Sequence, residues 1–110
     1  MEIPSRGLSA TAAGPSEAEK TACRLEISGI VQGVGYREWL VKTALRTGLT
    51  GWVRNLRDGR VEAHVEGLDG SIRQLIEACW RGPSHARVTD VRASRVAPEH
   101  AEDFRRLPTA

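Results

Sequence analysis

The stretch from Gly29 to Arg37, which reads GIVQGVGYR, constrains the fold more than any other part of the chain. It follows a strand-like run at 24–28 and precedes a helix-like run that begins near Tyr36. A strand, a glycine-rich turn and a helix start, in that order, direct several backbone N–H groups at one place. Because the helix dipole is positive there and the first N–H groups lack partners, such a place binds anions.

Arg37 strengthens the interpretation of this turn as an anion site. A cation in the first helical turn lies at the unfavourable end of the dipole, at a cost of roughly 0.3–1 kcal/mol, unless an anion lies between them. The planar fork of donors in arginine suits a phosphate. On these residues alone, a tight turn beside a solvated arginine is the alternative. The turn has neither the Walker nor the dinucleotide spacing, so it does not indicate a nucleotide.

A second stretch, GWVRNLRDGRVEAHVEG, begins at Gly51 and ends at Gly67. Together with the first, it resembles the acylphosphatase family, small enzymes that hydrolyse carboxyl-phosphate anhydrides, in both the order and the separation of the two motifs. The resemblance covers about residues 24–107. It implies that Arg37 and the loop amides bind the phosphoryl group and that Asn55 orients the attacking water.

The order of the predicted elements favours an α+β fold. A βαββαβ order with a short final strand predicts a ferredoxin-like two-layer sandwich, in which two helices cover one face of an antiparallel sheet. The first crossover makes strands one and two parallel, so the loop and Asn55 meet at one end of the sheet. The predicted strands are 23–30, 50–56, 60–66, 86–96 with a bulge near Asp90, and 104–107, and the predicted helices are 36–47 and 71–81.

The chemistry of the predicted site follows both from the residues that it contains and from the catalytic residue types that it lacks. Val31 stands where a cysteine phosphatase loop has its nucleophile, Ser28 has no apparent base, and no cluster indicates a metal. A site that positions phosphate and water is enough for an anhydride whose leaving group is a carboxylate. We therefore expect hydrolysis without metal or cofactor, and the resemblance implies that Arg37 and Asn55 are the catalytic residues. Without the first motif, the alternative for Asn55 is an ordinary turn-capping amide. The predicted phosphate-binding loop is Val31, Gln32, Gly33, Val34, Gly35, Tyr36 and Arg37.

The expected partner is a small acyl phosphate, with inorganic phosphate or sulfate as inhibitor. An alternative function is a non-catalytic module that binds phosphate or an acyl phosphate and regulates a partner. A ferredoxin-like RNA binder is disfavoured, because such proteins display stacking aromatic residues on the open sheet face. That face is predicted here to carry Arg24, Glu26, Glu62, His64 and Glu66. The net charge of +2 is too small to indicate nucleic acid.

Composition sets the remaining expectations. A flexible tail over residues 1–21, rich in Ala, Ser, Gly and Pro, should precede a single domain over 22–110. Cys23 and Cys79 are predicted to be buried, reduced thiols. The chain shows no apolar run of membrane-spanning length and no secretory signal, so we expect a cytoplasmic monomer.

Several individual side chains are also assigned. We expect Leu45 in the apolar stripe of the first helix and Trp52 at the sheet edge. Arg106 falls at a strand position where an apolar residue is expected, with no contact to Arg37 or Asn55. The three histidines, His64, His85 and His100, are expected to be solvated, and Arg54, Arg57 and Arg60 to raise the positive potential around the site.

Overall fold

The computed structural model of the protein describes residues 18–110. In chain order its elements are β1 Lys20–Ile30, α1 Tyr36–Arg46, β2 Thr50–Asn55, β3 Val61–Leu68, α2 Asp69–Arg81, β4 Arg87–Arg95 and β5 Phe104–Arg106. Within these residues the five strands form one sheet in the order β4-β1-β3-β2-β5. Both helices pack on one side of it, which confirms the α+β ferredoxin-like sandwich.

The sheet is mixed rather than purely antiparallel. Strand β1 pairs antiparallel with β3 and β4, and β2 pairs antiparallel with β3. Strand β5 instead pairs in parallel with β2, with Val53 opposite Arg106. The expectation of an antiparallel sheet is thus wrong at this edge, because residues 96–103 lead the chain from one edge of the sheet to the other before β5 forms.

Two details of β1 bear on the predicted bounds. The strand begins at Lys20, which pairs with Leu68, so residues 20 and 21 belong to the sheet and not to the expected tail. Residues 1–17 of that tail lie outside the described residues. Farther along, Ser28 pairs with Asp90 and Gly29 pairs with Val88, which leaves one extra residue in β4. The bulge expected near Asp90 is confirmed.

The core lies between the helices and the sheet. Cys23 and Cys79 are both buried there as free thiols, as predicted, and burial raises the pKa of each. Leu45, by contrast, is 57% exposed, so its assignment to the apolar stripe of α1 is wrong. Thr43 takes the inward position instead, and its hydroxyl donates to the carbonyl of Trp39 at 2.8 Å, which satisfies the buried polar group.

The other face of the sheet is charged but partly covered. His64 is only 3% exposed, which contradicts the expectation of a solvated side chain, whereas His85 and His100 are exposed. The ring of His64 stacks on Trp52 at 6.0 Å, and its Nε2 lies 2.6 Å from Glu66. Trp52 is not at the sheet edge, because β5 pairs outside β2.

The cover over this face comes from the segment that follows β4. The carboxylate of Glu66 accepts hydrogen bonds from the backbone N–H groups of Glu99 and Ala101. The indole N–H of Trp52 donates to Glu99 at 3.0 Å. Residues 99–101 therefore lie over the end of the face that holds His64, and local sequence patterns do not reveal that contact.

Candidate active site

The loop between β1 and α1 alternates backbone conformations. Gly33 and Gly35 have φ values of 76° and 80°, while Gln32 and Val34 are not in the positive-φ region. Such alternation turns successive N–H groups towards one side and forms a concave anion-binding nest. A Cβ atom added at either glycine would meet nothing within 4 Å. Conformation, and not lack of space, therefore requires glycine at both positions.

The start of α1 adds further donors to this nest. The first helical hydrogen bond runs from the N–H of Trp39 to the carbonyl of Gly35 at 3.0 Å, and no side chain of residues 18–110 caps the helix. Within residues 18–110, the backbone N–H groups of 32–38 have no protein partner. These groups, together with the positive end of the helix dipole, suit an anion with several oxygen atoms.

Arg37 lies half-buried beside these amides. Its Nη1 donates to the carbonyl of Leu107 at 3.3 Å, directly after β5. In the described part of the chain it forms no ion pair with a carboxylate. The bond to Leu107 orients the guanidinium and leaves its other donors available.

Three predicted loop residues act as anchors through their side chains. The amide of Gln32 donates to the carbonyls of Leu56 and Arg60 at 2.7 and 2.9 Å, which ties the loop to the β2–β3 hairpin. Val31 and Tyr36 are each 1% exposed. The hydroxyl of Tyr36 donates to the backbone carbonyl of Cys79 in α2 at 2.6 Å, and burial raises the pKa of this phenol. These contacts fix the loop from both sides.

Asn55 is the last residue of β2. It lies two residues after the buried Val53, so it shares the helix-facing side of the strand. Its backbone carbonyl accepts from the N–H of Ala110 at 3.0 Å, whereas its side-chain amide has no hydrogen-bond partner among the described residues. The strand therefore fixes the position of an amide whose donor and acceptor remain unused.

These groups surround a cavity of about 100 Å³. The cavity brings together the predicted loop residues except Val34, which packs against the core, and it also includes Asn55. Its lining residues are Val31, Gln32, Gly33, Gly35, Tyr36, Arg37, Glu38, Asn55 and Arg106.

Arg106 was missed by the sequence analysis, which expected it to lie away from the proposed catalytic pair. Register explains its position: Arg106 is opposite Val53 in the parallel pair and faces the helix side, like the buried Phe104. The signal that could have revealed it is a charged residue at the inward position, two residues after Phe104. On local pattern alone that position predicts a core side chain.

The other arginines near the hairpin differ in their surroundings. Arg54 pairs with Glu62, and Arg60 pairs with Asp58 and Glu26, so both have partially compensated charges. Among residues 18–110, Arg57 is exposed and forms no ion pair. Of the three arginines expected to raise the local potential, Arg57 is therefore the one left without a carboxylate partner.

The described residues also bear on metal binding and on membrane insertion. Over residues 18–110, no group of three or more His, Cys, Asp or Glu side chains could hold a metal ion. Neither helix of that range has both the length and the apolar character that crossing a membrane requires.

A ferredoxin-like sandwich with a nest of free amides and an arginine at the start of its first helix defines an α+β protein that handles phosphate-like anions. The family model described as acylphosphatase matches residues 23–106. The acylphosphatase of Rhodopseudomonas palustris is 55% identical over 73 residues, 66% of this chain and 74% of that protein. The acylphosphatase of Rhodospirillum rubrum is 46% identical over 85 residues, 77% of this chain and 93% of that protein.

A solved structure agrees with these relatives. The structure of an acylphosphatase from Coxiella burnetii superposes with a TM-score of 0.78 at 41% identity, covering 80% of this chain and 93% of that one. The chain belongs to the acylphosphatase family.

Proposed function

We propose that this acylphosphatase acts by holding the phosphoryl group between the amides of residues 31–37 and Arg37, while Asn55 directs a water molecule at phosphorus. Hydrolysis of acyl phosphates itself follows from membership of the family, which makes the chain a hydrolase of acid anhydrides. We propose in addition which residues perform the reaction, and that it needs no metal ion.

Unused donors support the phosphoryl-binding role. The N–H groups of 32–38 and most of the guanidinium of Arg37 have no protein partner within the described residues. A cavity of about 100 Å³ is far smaller than the few hundred Å³ typical of pockets that enclose whole ligands. It suits the phosphoryl group alone and leaves the acyl group outside, which is consistent with an enzyme that accepts several acyl groups.

The free amide of Asn55 supports the role in water activation. Attack on phosphorus requires the water oxygen and the leaving oxygen to lie roughly in line. An amide offers an acceptor and donors, so it can orient water without removing its proton. The new P–O bond forms as the bond to the acyl oxygen breaks, and the products are a carboxylate, phosphate and a released proton.

A metal ion and a general acid are not needed in this scheme. A carboxylate with a pKa near about 4 leaves without prior protonation. The charge that develops on the phosphoryl oxygens is stabilised by Arg37 and the amides, which are already in position. The observation that carries the proposal is that the loop, α1 and β2 each bring to one small cavity donors that have no partner within residues 18–110.

The test is hydrolysis of benzoyl phosphate by the purified chain in the presence of a chelator. We expect full activity, with inorganic phosphate or sulfate as a competitive inhibitor. A rate that falls with chelator and returns with a divalent ion would contradict the metal-free scheme. Inhibition that is not competitive would contradict binding of the phosphoryl group in this cavity.

We further propose a cytoplasmic monomer that does not bind nucleic acid. The free buried cysteines support a cytoplasmic location. Large exposed apolar side chains, such as Leu45 and Trp80, are few among residues 18–110, which supports a monomer. A mass of twice the chain mass in light scattering would contradict the monomer. Recovery outside the cytoplasm on cell fractionation would contradict the location, and salt-resistant retention of RNA would contradict the absence of nucleic-acid binding.

A further inference from the structure

Arg106 lines the same cavity as Arg37, although the roles described above do not use it. We infer that Arg106 is a second phosphate-binding arginine, whose guanidinium contacts the phosphoryl group from the β5 side. This inference rests on the proposed function, because it concerns the same anion site.

Strand register fixes where Arg106 lies. The parallel pair of β2 and β5 sets Arg106 opposite Val53, and Asn55 follows Val53 on the same face of β2. Arg106 is thus a diagonal neighbour of Asn55, while Arg37 enters the cavity from α1. The next residue, Leu107, accepts the hydrogen bond from Arg37 at 3.3 Å, so one short segment positions both guanidinium groups.

The charges around Arg106 favour a bound anion. Within the described residues the side chain of Arg106 forms no hydrogen bond or ion pair, and neither arginine in the cavity pairs with a carboxylate. Glu38 is the one carboxylate among the lining residues, and it pairs with neither of them. Two cations that lack a carboxylate partner among the described residues repel each other around one small cavity, and a dianion between them would remove that repulsion.

Arg105 provides a contrast within the same strand. Both arginines are exposed, but Arg105 faces the opposite side of the sheet and pairs with Asp103 at 3.1 Å. Adjacent arginines therefore differ in both face and pairing, and only Arg106 lines the anion site. This makes Arg105→Leu a matched control that removes the same charge from the same strand.

The alternative contact for Arg106 is the acyl part of the substrate. A guanidinium at the mouth of the cavity could bind a second carboxylate on an acyl group. The position beside Asn55 favours the phosphoryl contact, because in-line attack sets the acyl oxygen on the side of phosphorus opposite the water that Asn55 orients. Two substrates separate these contacts: benzoyl phosphate, whose acyl group is uncharged, and succinyl phosphate, whose acyl group carries a carboxylate.

The experiment measures binding of inorganic phosphate by calorimetry and hydrolysis of both substrates. Arg106→Leu should raise the Kd of phosphate about 5- to 20-fold, the scale of one exposed charge-assisted hydrogen bond. It should lower kcat/KM by a similar factor for both substrates and reduce the dependence of Kd on salt. Arg106→Lys, which keeps the charge, should recover most of the affinity, and Arg105→Leu should change Kd less than 2-fold.

Three outcomes would overturn the inference. A loss confined to succinyl phosphate would assign Arg106 to the acyl group. An equal rise of the Kd in Arg105→Leu would show that the overall positive charge, and not a contact from Arg106, sets the phosphate affinity. A lowered Tm with unchanged Kd in Arg106→Leu would show that Arg106 stabilises the fold, for example by pairing with Glu38. A wild type that binds phosphate through Arg106 but hydrolyses neither substrate would contradict the proposed function and leave this inference standing.

Discussion

The open face of the sheet and the cavity at the start of α1 surround their arginines in opposite ways. On the open face, Glu62 accepts hydrogen bonds from Arg24 and Arg54 at 2.6 and 2.7 Å, and its side chain is only 6% exposed. In the cavity, Arg37 and Arg106 have no carboxylate partner within the described residues. The same side chain is thus paired in one region and unpaired in the other.

This difference distinguishes arginines that pair within the fold from those that we propose bind the substrate. Pairing on the open face offsets the cost of burying Glu62, so those arginines contribute to the fold. Guanidinium groups without a carboxylate partner in a small cavity repel each other instead. An anionic ligand between them would make the net electrostatic interaction favourable. Substitutions on the open face should therefore change stability, and those in the cavity should change binding and turnover.

The largest expected effect is that of Arg37→Ala. It should lower kcat/KM for benzoyl phosphate by roughly 10³-fold or more, the scale of removing an arginine that stabilises a phosphoryl-transfer transition state. Arg37→Lys should also be poor, because a lysine cannot fork across two phosphate oxygens. Arg54→Ala on the open face is the control, with near-normal kcat/KM and reduced stability. Similar kinetic losses in both variants would break the comparison.

Asn55→Ala should have the next largest effect. We expect kcat to fall on the order of 10²-fold, as for loss of one preorganised polar group, while the Kd of phosphate stays nearly unchanged. Asn55 is proposed to hold water and not phosphate, so the two measurements should separate. Gln74→Ala, which removes an exposed amide from α2, is the control. A folded Asn55→Ala protein with normal kcat would refute the water-orienting role.

The sequence predicted that the loop and Asn55 lie together, because local signals encode both positions. The glycines at 33 and 35 mark the positive-φ turn, and the crossover rule brings Asn55 to the same sheet end. Arg106 could not be found this way, because its position depends on parallel pairing of β5 with β2, a contact between distant segments. Pattern alone makes such a short strand ambiguous.

Burial on the open face escaped sequence reasoning for a similar physical reason. The alternation of apolar and polar residues along β3 correctly assigned Glu62 and His64 to that face. The same pattern implies that the face is exposed to solvent. The segment around Glu99 covers this part of the sheet and leaves His64 3% exposed. A cover made by an irregular segment leaves no periodic trace in either strand, so its contacts appear only in three dimensions.

The open face gives the third prediction, Glu62→Gln. Loss of the carboxylate removes charge from two ion pairs while the amide oxygen still accepts one hydrogen bond. The free energy of unfolding at pH 7 should fall by about 1–2 kcal/mol, measured by urea denaturation. Glu77→Gln, on the exposed side of α2, is the control and should change little. Unchanged stability of Glu62→Gln with reduced kcat/KM would contradict the comparison, because it would give the open face the catalytic role expected of the cavity.

The same variant has a pH signature. Burial alone would raise the pKa of Glu62, but the hydrogen bonds from Arg54 and Arg24 outweigh it and lower the pKa overall. Because the pKa of Glu62 is lower in the folded state, its carboxylate stabilises the fold at any pH above the unfolded-state pKa of about 4.3. That stabilisation is lost as the pH falls through the folded-state pKa. The difference in unfolding free energy between wild type and Glu62→Gln should therefore narrow in acid. A difference that widens in acid would contradict the pairing.

The smallest expected effect tests whether an unpaired arginine outside the cavity acts at a distance. Arg57 is exposed on the hairpin that Gln32 ties to the loop, and among the described residues it forms no ion pair. Arg57→Gln should lower kcat/KM about 2-fold at about 0.1 M salt and have no effect near 1 M, where the Debye length falls to about 3 Å.

The control for Arg57→Gln is Arg46→Gln. It removes the same charge at the far end of α1, about 15 Å along the helix axis from its start, beyond one Debye length at about 0.1 M salt. We expect its kcat/KM to stay at the wild-type value. Equal losses in both variants would show that net charge, and not the position of an unpaired arginine beside the cavity, determines how fast the anion is captured. A loss at Arg57 that persists near 1 M salt would instead indicate direct contact with the substrate, and would extend the functional region from the cavity to the hairpin.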